Sequence, residues 1–431
     1  MNKIYKVVWN KARNCYVVAS EFAKNHQTGS SRIKAASVAA VMAATMLTIG
    51  TGVIYAADGT GTTVKSEYAQ SDDVAVVYNE DKTSLKSTNS GRVGKNAIAL
   101  GKGASAVDNS IAIGNGAYTQ DGRKEKGQSV ALGNGAVTGA KSTSIGAKAV
   151  GGREGTITIG ANANNGALYS TVVGTDSKIT SDATAYTLDL PFVGKESVIV
   201  QGAVSTSFGA DNTITNKEKV FSGVANSIIG SVNTVTNSNG VTIQGTGNTV
   251  SNAYKDMNIG LGDLLNFKNG DYSSIAKQDN GAIAIIGGGN TISDQLSSTV
   301  IGFGNTLKGN ISSGVFTAGS HNKLTNVSNS LIMGDNNTLE GRKNVISLGN
   351  NNTVTADDAV AIGNGTTVTA KRGVAIGVGS VADRVAGSEK GARGEFAPDT
   401  IPMGQESTWT STRGAVSVGD TVNDITRQIT N

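Results

Sequence analysis

Two histidines, two pairs of adjacent aspartates and one triple glycine are the places where this chain could do chemistry. His26 lies near the N terminus and His321 in a presumed turn, so no Ser/His/Asp relay can be assembled around an imidazole. Asp72-Asp73 and Asp357-Asp358 could share a proton as an acid–base pair, but as sequence neighbours in polar turns they read as solvated charge. Gly287-Gly288-Gly289 could approach a phosphate, yet it lacks the Lys-Ser/Thr ending and the strand–turn–helix setting of a phosphate loop. A Gly-Gly-x-Gly-x-Asp calcium repeat is absent. The single cysteine, Cys15, also sits near the N terminus, so the rest of the chain has no thiol, disulfide or Cys-type metal site. The expectation is a chain that is not an enzyme and uses no cofactor or metal.

What does recur is a positioning element: a short apolar strand closed by glycine. It reads Ala97-Ile98-Ala99-Leu100-Gly101, then Ile111-Ala112-Ile113-Gly114, and returns as late as Val374-Ala375-Ile376-Gly377. Successive closing glycines from Gly101 to Gly160 are 13, 19, 13 and 14 residues apart. A unit this short cannot bury a core alone and must stack on its own copies. Within each strand the apolar residues alternate, with Ile98 and Leu100 on one side and Ala97 and Ala99 on the other. The larger pair is expected to fill the coil, leaving small Ala positions outside for close approach of a neighbour. A second phrase, Asn-Thr-aliphatic, runs from Asn212-Thr213-Ile214 to Asn352-Thr353-Val354. It gives each coil a second strand that starts after Asn, and stacked coils could align these Asn side chains as a ladder.

Composition agrees with a repeat scaffold: 57 Gly, 3 Pro and 20 aromatics (8 Phe, 10 Tyr, 2 Trp) are too few large side chains for an ordinary core of this length. The net charge of +4 belongs to the N terminus. Residues 1–57 hold seven Lys/Arg and one Glu, leaving 30 basic and 32 acidic residues, a charge of −2, so nucleic acid is not an expected partner.

The sequence divides into a leader (1–57), a polar N-terminal cap segment (58–95), regular repeats (96–180), degenerate repeats with Asn-Thr turns and insertions (181–370), last coils (371–412) and a closing segment (413–431). Asp121–Gly127 reads as a charged loop, and Ala183–Phe192 and Tyr254–Asn280 as insertions. The leader carries an Ala/Val/Met/Leu/Ile run from Ala35 to Ile54, followed by small residues, which predicts signal cleavage after Ala56 or Ala57. The expected fold is all-β, a parallel β-roll or β-helix of 13–15-residue coils. Some twenty such coils would make a rod on the order of 100 Å.

The long stretch before the apolar run, opening Met1-Asn2-Lys3-Ile4-Tyr5-Lys6-Val7-Val8-Trp9-Asn10, resembles the extended signal peptide region of type V secreted proteins. The phrase Asn109-Ser110-Ile111-Ala112-Ile113-Gly114 resembles the head repeat of trimeric autotransporter adhesins of the YadA-like type. Arg413–Gly419 and Thr426–Asn431 resemble the passage where such heads enter the neck. The resemblance implies a left-handed β-roll, three chains side by side as a homotrimer, and a cell-surface or outer-membrane location in a Gram-negative-type envelope. It implies binding to host matrix proteins such as collagen, to cell-surface receptors or to other bacteria. On the same basis the candidate ligand-binding residues are Ser110, Ile111, Ala112, Ile113 and Gly114, with Ser129, Val130, Ala131, Leu132 and Gly133. Asn431 falls inside the neck-like passage, and no sustained heptads or barrel-type strands are present in the sequence. The expectation is a fragment of a longer adhesin whose stalk and membrane anchor lie outside this chain, in contact with the outer membrane only through that anchor; the alternative is a head displayed through a partner, or secreted if it has no anchor. Two other classes fit less of the sequence: a structural spacer of a surface fibre, and a β-helix enzyme acting on polysaccharide, for which aromatic sugar platforms are sparse.

Overall fold

The computed structural model describes residues 5–10, 15–20, 76–78, 85–86, 92–387, 403 and 411–430. Within 92–387 it leaves out 122–126, 182–185, 191–193, 218–220, 256–258, 269–270, 272 and 277–280. The chain forms two compact units, Met1–Asp58 and Gly59–Asn431. In the first, Tyr5–Asn10 pairs antiparallel with Cys15–Ser20. The cleavage residues Ala56 and Ala57, most of segment 58–95 and most of the charged loop 121–127 lie outside the described residues.

The second unit is a parallel β-solenoid of about 17 turns, with coils of about 15 residues. Each turn contributes one strand to each of two sheets. The first sheet runs in register from Ile98–Leu100 through Ile111–Ile113 and Val130–Leu132 to Val374–Ile376 and Val416–Ser417. The second holds 15 strands, from Tyr118–Thr119 to Val381–Ala382. At about 4.8 Å per rung the stack is about 80 Å long. Val76–Tyr78 covers the open edge of the first rung by pairing antiparallel with Ile98–Leu100; an uncovered edge would template further pairing.

The strand alternation is as the sequence predicts, but the sides are reversed. Ala97, Ala99, Ala112 and Ala131 are fully buried inside the coils, whereas Ile98, Ile111 and Val130 lie on the outer surface. Strand phase is the reason: the middle residue of each three-residue strand faces the interior, and in the first coils that residue is Ala, Ser or Thr. The interior there is built from Ala99, Ala112, Ala131, Ser144 and Thr158 against Ala106, Thr119, Thr138 and Gly151. A Cβ on Gly151 would stand 2.7 Å from Thr156 Oγ1 and 2.8 Å from Ser144 Oγ, so even a methyl group is excluded at that level. In the later coils the inward positions are larger, with Ile228, Ile243 and Ile285 on the first sheet and Val235, Val250 and Ile292 on the second, all buried. Each of these buried aliphatics contributes about 1.5–3 kcal/mol.

The corner leading from the first sheet to the second is closed by glycine. Gly101 has φ +123°, and a Cβ there would lie 2.6 Å from the Gly114 carbonyl oxygen of the next coil. Behind the glycines, in the 15-residue coils, runs the asparagine ladder. Asn248, Asn290, Asn305, Asn322 and Asn337 are buried. Asn290 Nδ2 donates to Asn248 Oδ1 (2.9 Å) and to the Gly302 carbonyl (2.9 Å). Its Oδ1 accepts from the Asn305 backbone N–H (2.9 Å) and from Asn305 Nδ2 (3.0 Å). Every polar group of the amide is thus used, the condition under which a buried network stabilises. Asn290→Ala will remove one hydrogen bond from each Asn neighbour and leave the buried Asn305 N–H without its acceptor, and should lower the unfolding free energy by about 2–4 kcal/mol, measured by denaturant titration of the exported chain. A loss under about 0.5 kcal/mol, the level of an ordinary surface change, would show that the ladder is not holding the coils.

The long insertions all leave from the opposite corner, between the second sheet and the next strand of the first. The step of 35 residues from Ser177 to Asn212 carries the antiparallel pair Tyr186–Leu190 and Gly194–Val198. The step of 42 from Asn248 to Asn290 carries a helix, Leu261–Lys268. These segments and the loop before Ser227 pack on one another around Val200, Phe221, Val224, Leu264 and Phe267. They form a side lobe with its own core. The glycine corner cannot accept such additions, because each of its residues is stacked on the next coil's backbone.

Candidate adhesive surface

Three kinds of surface remain outside this framework. The outward face of the first sheet carries two columns of side chains. One is largely apolar, with Phe208, Ile229 (54 %), Ile286 (51 %), Ile301, Met333 and Ile376 exposed and Gln244 standing between Ile229 and Ile286. The other holds Ile157 and Ile346, with Thr206, Ser227, Thr242 and Thr299 between them. A soluble monomer rarely leaves a row of large apolar side chains of this extent uncovered. The outward face of the second sheet is hydroxyl-rich, with Thr213, Thr234, Thr249, Thr291 and Thr306 in register. The side lobe exposes Leu261 and Leu265 on its helix.

The sequence candidates fall on both sides of the coil wall. Ser110, Ala112, Ser129 and Ala131 point inward and are buried. Ser110 Oγ donates to the Asp108 carbonyl (3.1 Å) and accepts from the Ser129 N–H (3.3 Å), while Ser129 Oγ donates to the Gly139 carbonyl (2.7 Å). Their hydroxyls tie coils together. Ile111, Ile113, Val130 and Leu132 lie half-buried on the outer face of the first sheet, and Gly114 and Gly133 close the corner behind them. Only the outward residues of the two phrases can touch another molecule.

The residues weighed for chemistry are dispersed. His321 is exposed, with its ring edge-on to Phe303 at 5.9 Å between centroids and 68° between planes. Asp72 and Asp73 lie outside the described residues. The hydrogen bond from Asn344 Nδ2 (2.8 Å), with Arg372 Nε at 3.5 Å, holds the Asp358 carboxyl below the usual carboxylate range. That is the environment of a permanently ionised turn residue rather than a proton donor. Gly287 and Gly288 end a strand of the first sheet, and Gly288 and Gly289 lie against the Phe303 ring.

Sequence reasoning missed the exposed Phe303 and the apolar character of the first sheet's outer face. The first ends a strand, after the closing glycine, where no repeat pattern marks it. The second was concealed by the reversed sides of the alternation.

At the chain's C-terminal end, Arg427 lies against Gly377 in the position that the next coil's backbone occupies elsewhere. It donates to Ser380 Oγ (2.9 Å) and to the carbonyls of Val378 and Val418. The guanidinium thereby satisfies acceptors that the last coil would otherwise leave open.

No curated protein matches the chain at significance. Residues 1–50 match the extended signal peptide of the type V secretion system. Such a leader implies export across the inner membrane toward the cell surface or outer membrane. The chain thus carries a type V secretion leader ahead of a parallel β-solenoid, a pairing consistent with the head of an autotransporter adhesin.

Proposed function

We propose that the solenoid is a surface adhesin head that acts without catalysis, as a homotrimer joined along the outward face of the first sheet. The observation that carries this reading is the column of exposed Ile, Phe and Met on that face, interrupted at Gln244, in a chain with a type V export leader. Covering the column with two further copies removes apolar area from water, at roughly 25 cal/mol per Å². The seam is then lined by large aliphatics, and the small Ala residues serve the narrow interior instead. A number of three follows from the resemblance to YadA-like heads. Ligands suited to such a rod are host matrix proteins such as collagen, cell-surface receptors or other bacteria, held by many weak contacts that add through multivalency.

The exported chain should show saturable binding to at least one of immobilised collagen, fibronectin, laminin, host cells or bacterial cells. Binding to none of them would replace this reading with that of a structural spacer. Depolymerisation of a glycan by the purified chain would replace it with an enzyme.

A further inference from the structure

We propose that the outward face of the second sheet between Thr213 and Thr306, edged by Phe303, binds an uncharged linear polysaccharide laid along the solenoid axis. Thr213, Thr234, Thr249, Thr291 and Thr306 stack in register as one column of partly or fully exposed side chains. On the first four of these rungs the second outward position is again Thr or Ser. Among the described residues none of the five column hydroxyls is bonded to another protein group. They stand free to exchange hydrogen bonds with a ligand. The rung spacing of about 4.8 Å is close to the length of one hexose in an extended glycan, so successive sugars can meet successive rungs.

Charge selects the class of polymer. The outward positions of the first four rungs carry no Lys, Arg, Asp or Glu; the column is bounded by Lys178 before it and Lys323 after it, and Lys308 shares the last rung with Thr306. An anionic polymer would find no partner along the column itself. Threonine by itself suits any exposed strand, but the edge of this face has a second feature. Phe303 is 58 % exposed although it is a large apolar ring. It is the last residue of a first-sheet strand, three residues before Thr306, and its ring meets Gly288 and Gly289 on the preceding coil and the edge-on His321 ring at 5.9 Å on the next. A Cβ on Gly289 would be 3.3 Å from ring atoms of Phe303. The two glycines therefore give the ring a flat bed. An exposed aromatic face beside a row of free hydroxyls supplies both contacts a neutral sugar needs, C–H on the ring and hydroxyl on hydroxyl. This ligand class presupposes the non-catalytic surface binder proposed above and names what one of its faces holds.

The test is affinity electrophoresis of the full exported chain in native gels containing dextran, laminarin, xylan or mannan, with alginate and heparin as anionic counterparts. Retardation by at least one neutral polymer is expected. Thr291→Lys and Phe303→Ala should each weaken it about tenfold while leaving thermal unfolding unchanged, since both side chains are exposed. No retardation by any neutral polymer, retardation by the anionic polymers alone, or both variants binding like the parent would overturn the proposal. A chain that still adheres to matrix or cells while ignoring every glycan would sink this inference and leave the adhesin reading standing. Failure of both assays would remove both.

Discussion

Gly302→Ala will cost far more stability than an ordinary surface change. Gly302 has φ +127°, and an added Cβ would overlap the Gly319 carbonyl oxygen of the next coil. Left-handed geometry alone costs an L-residue about 1–2 kcal/mol. The overlap must then be relieved by parting two coils. The same Gly319 carbonyl accepts from Asn305 Nδ2 (2.7 Å), and the Gly302 carbonyl accepts from Asn290 Nδ2 (2.9 Å). Parting the coils therefore breaks the ladder at two consecutive rungs, with about 1–3 kcal/mol for each buried group left unpaired. The summed loss is on the order of 3–8 kcal/mol, read as a lowered denaturant midpoint and as new protease cleavage near the altered rung. Gly365→Ala is the matched comparison. It too has positive φ (+64°), but its Cβ would meet nothing within 4 Å, so only the backbone term of about 1–2 kcal/mol applies. Equal losses from the two substitutions would show that coil contact is not what fixes the glycine column.

Ile286→Asp combined with Ile301→Asp is expected to convert the assembled head to monomers without unfolding the solenoid. The two side chains occupy paired positions on neighbouring rungs of the first sheet, 51 % and 37 % exposed, so each tolerates charge in an isolated chain. In a trimer sealed along this face the same substitutions would bury six carboxylates near one another. Each unpaired buried charge costs several kcal/mol. Sedimentation of the parent should give three times the chain mass and the double variant the single mass, with unchanged far-ultraviolet circular dichroism. Ile285→Asp is the contrast, because Ile285 is buried inside the coil and its charge would disrupt folding itself. A parent that sediments as a clean monomer, or a variant that sediments with the parent, would refute the seam.

Much of the scaffold could be read from residues alone. The alternation in Ile111-Ala112-Ile113-Gly114 specified a strand and its end, and the Asn-Thr phrases marked the start of the second strand in the longer coils. The ladder anticipated from their spacing is present as an unbroken hydrogen-bond chain from Asn212 to Asn352. Less was legible in the short coils, where Val150-Gly151 and Asn164-Asn165 are strands of two residues with no pattern to announce them. The candidate site was hardest to see. Ser110 and Ser129 belong to the conspicuous repeat, yet they face inward, while the free hydroxyl column and Phe303 lie in the less regular middle.

By itself the sequence determined the period, the turn residues, the export leader and the all-β class, because strand alternation, glycine geometry and leader composition are local properties. The tertiary structure alone decided which side of each strand is the inside. Ser-Ile-Ala-Ile-Gly is equally amphipathic read either way, and only where the corners fall relative to the strand decides that Ala112 faces the interior while Ile111 and Ile113 face out. That phase turned the apolar residues of the repeat from a presumed core into an exposed face. The meeting of three insertions in one lobe was likewise decided in three dimensions, since residues 42 apart in the chain become neighbours only after the coils stack.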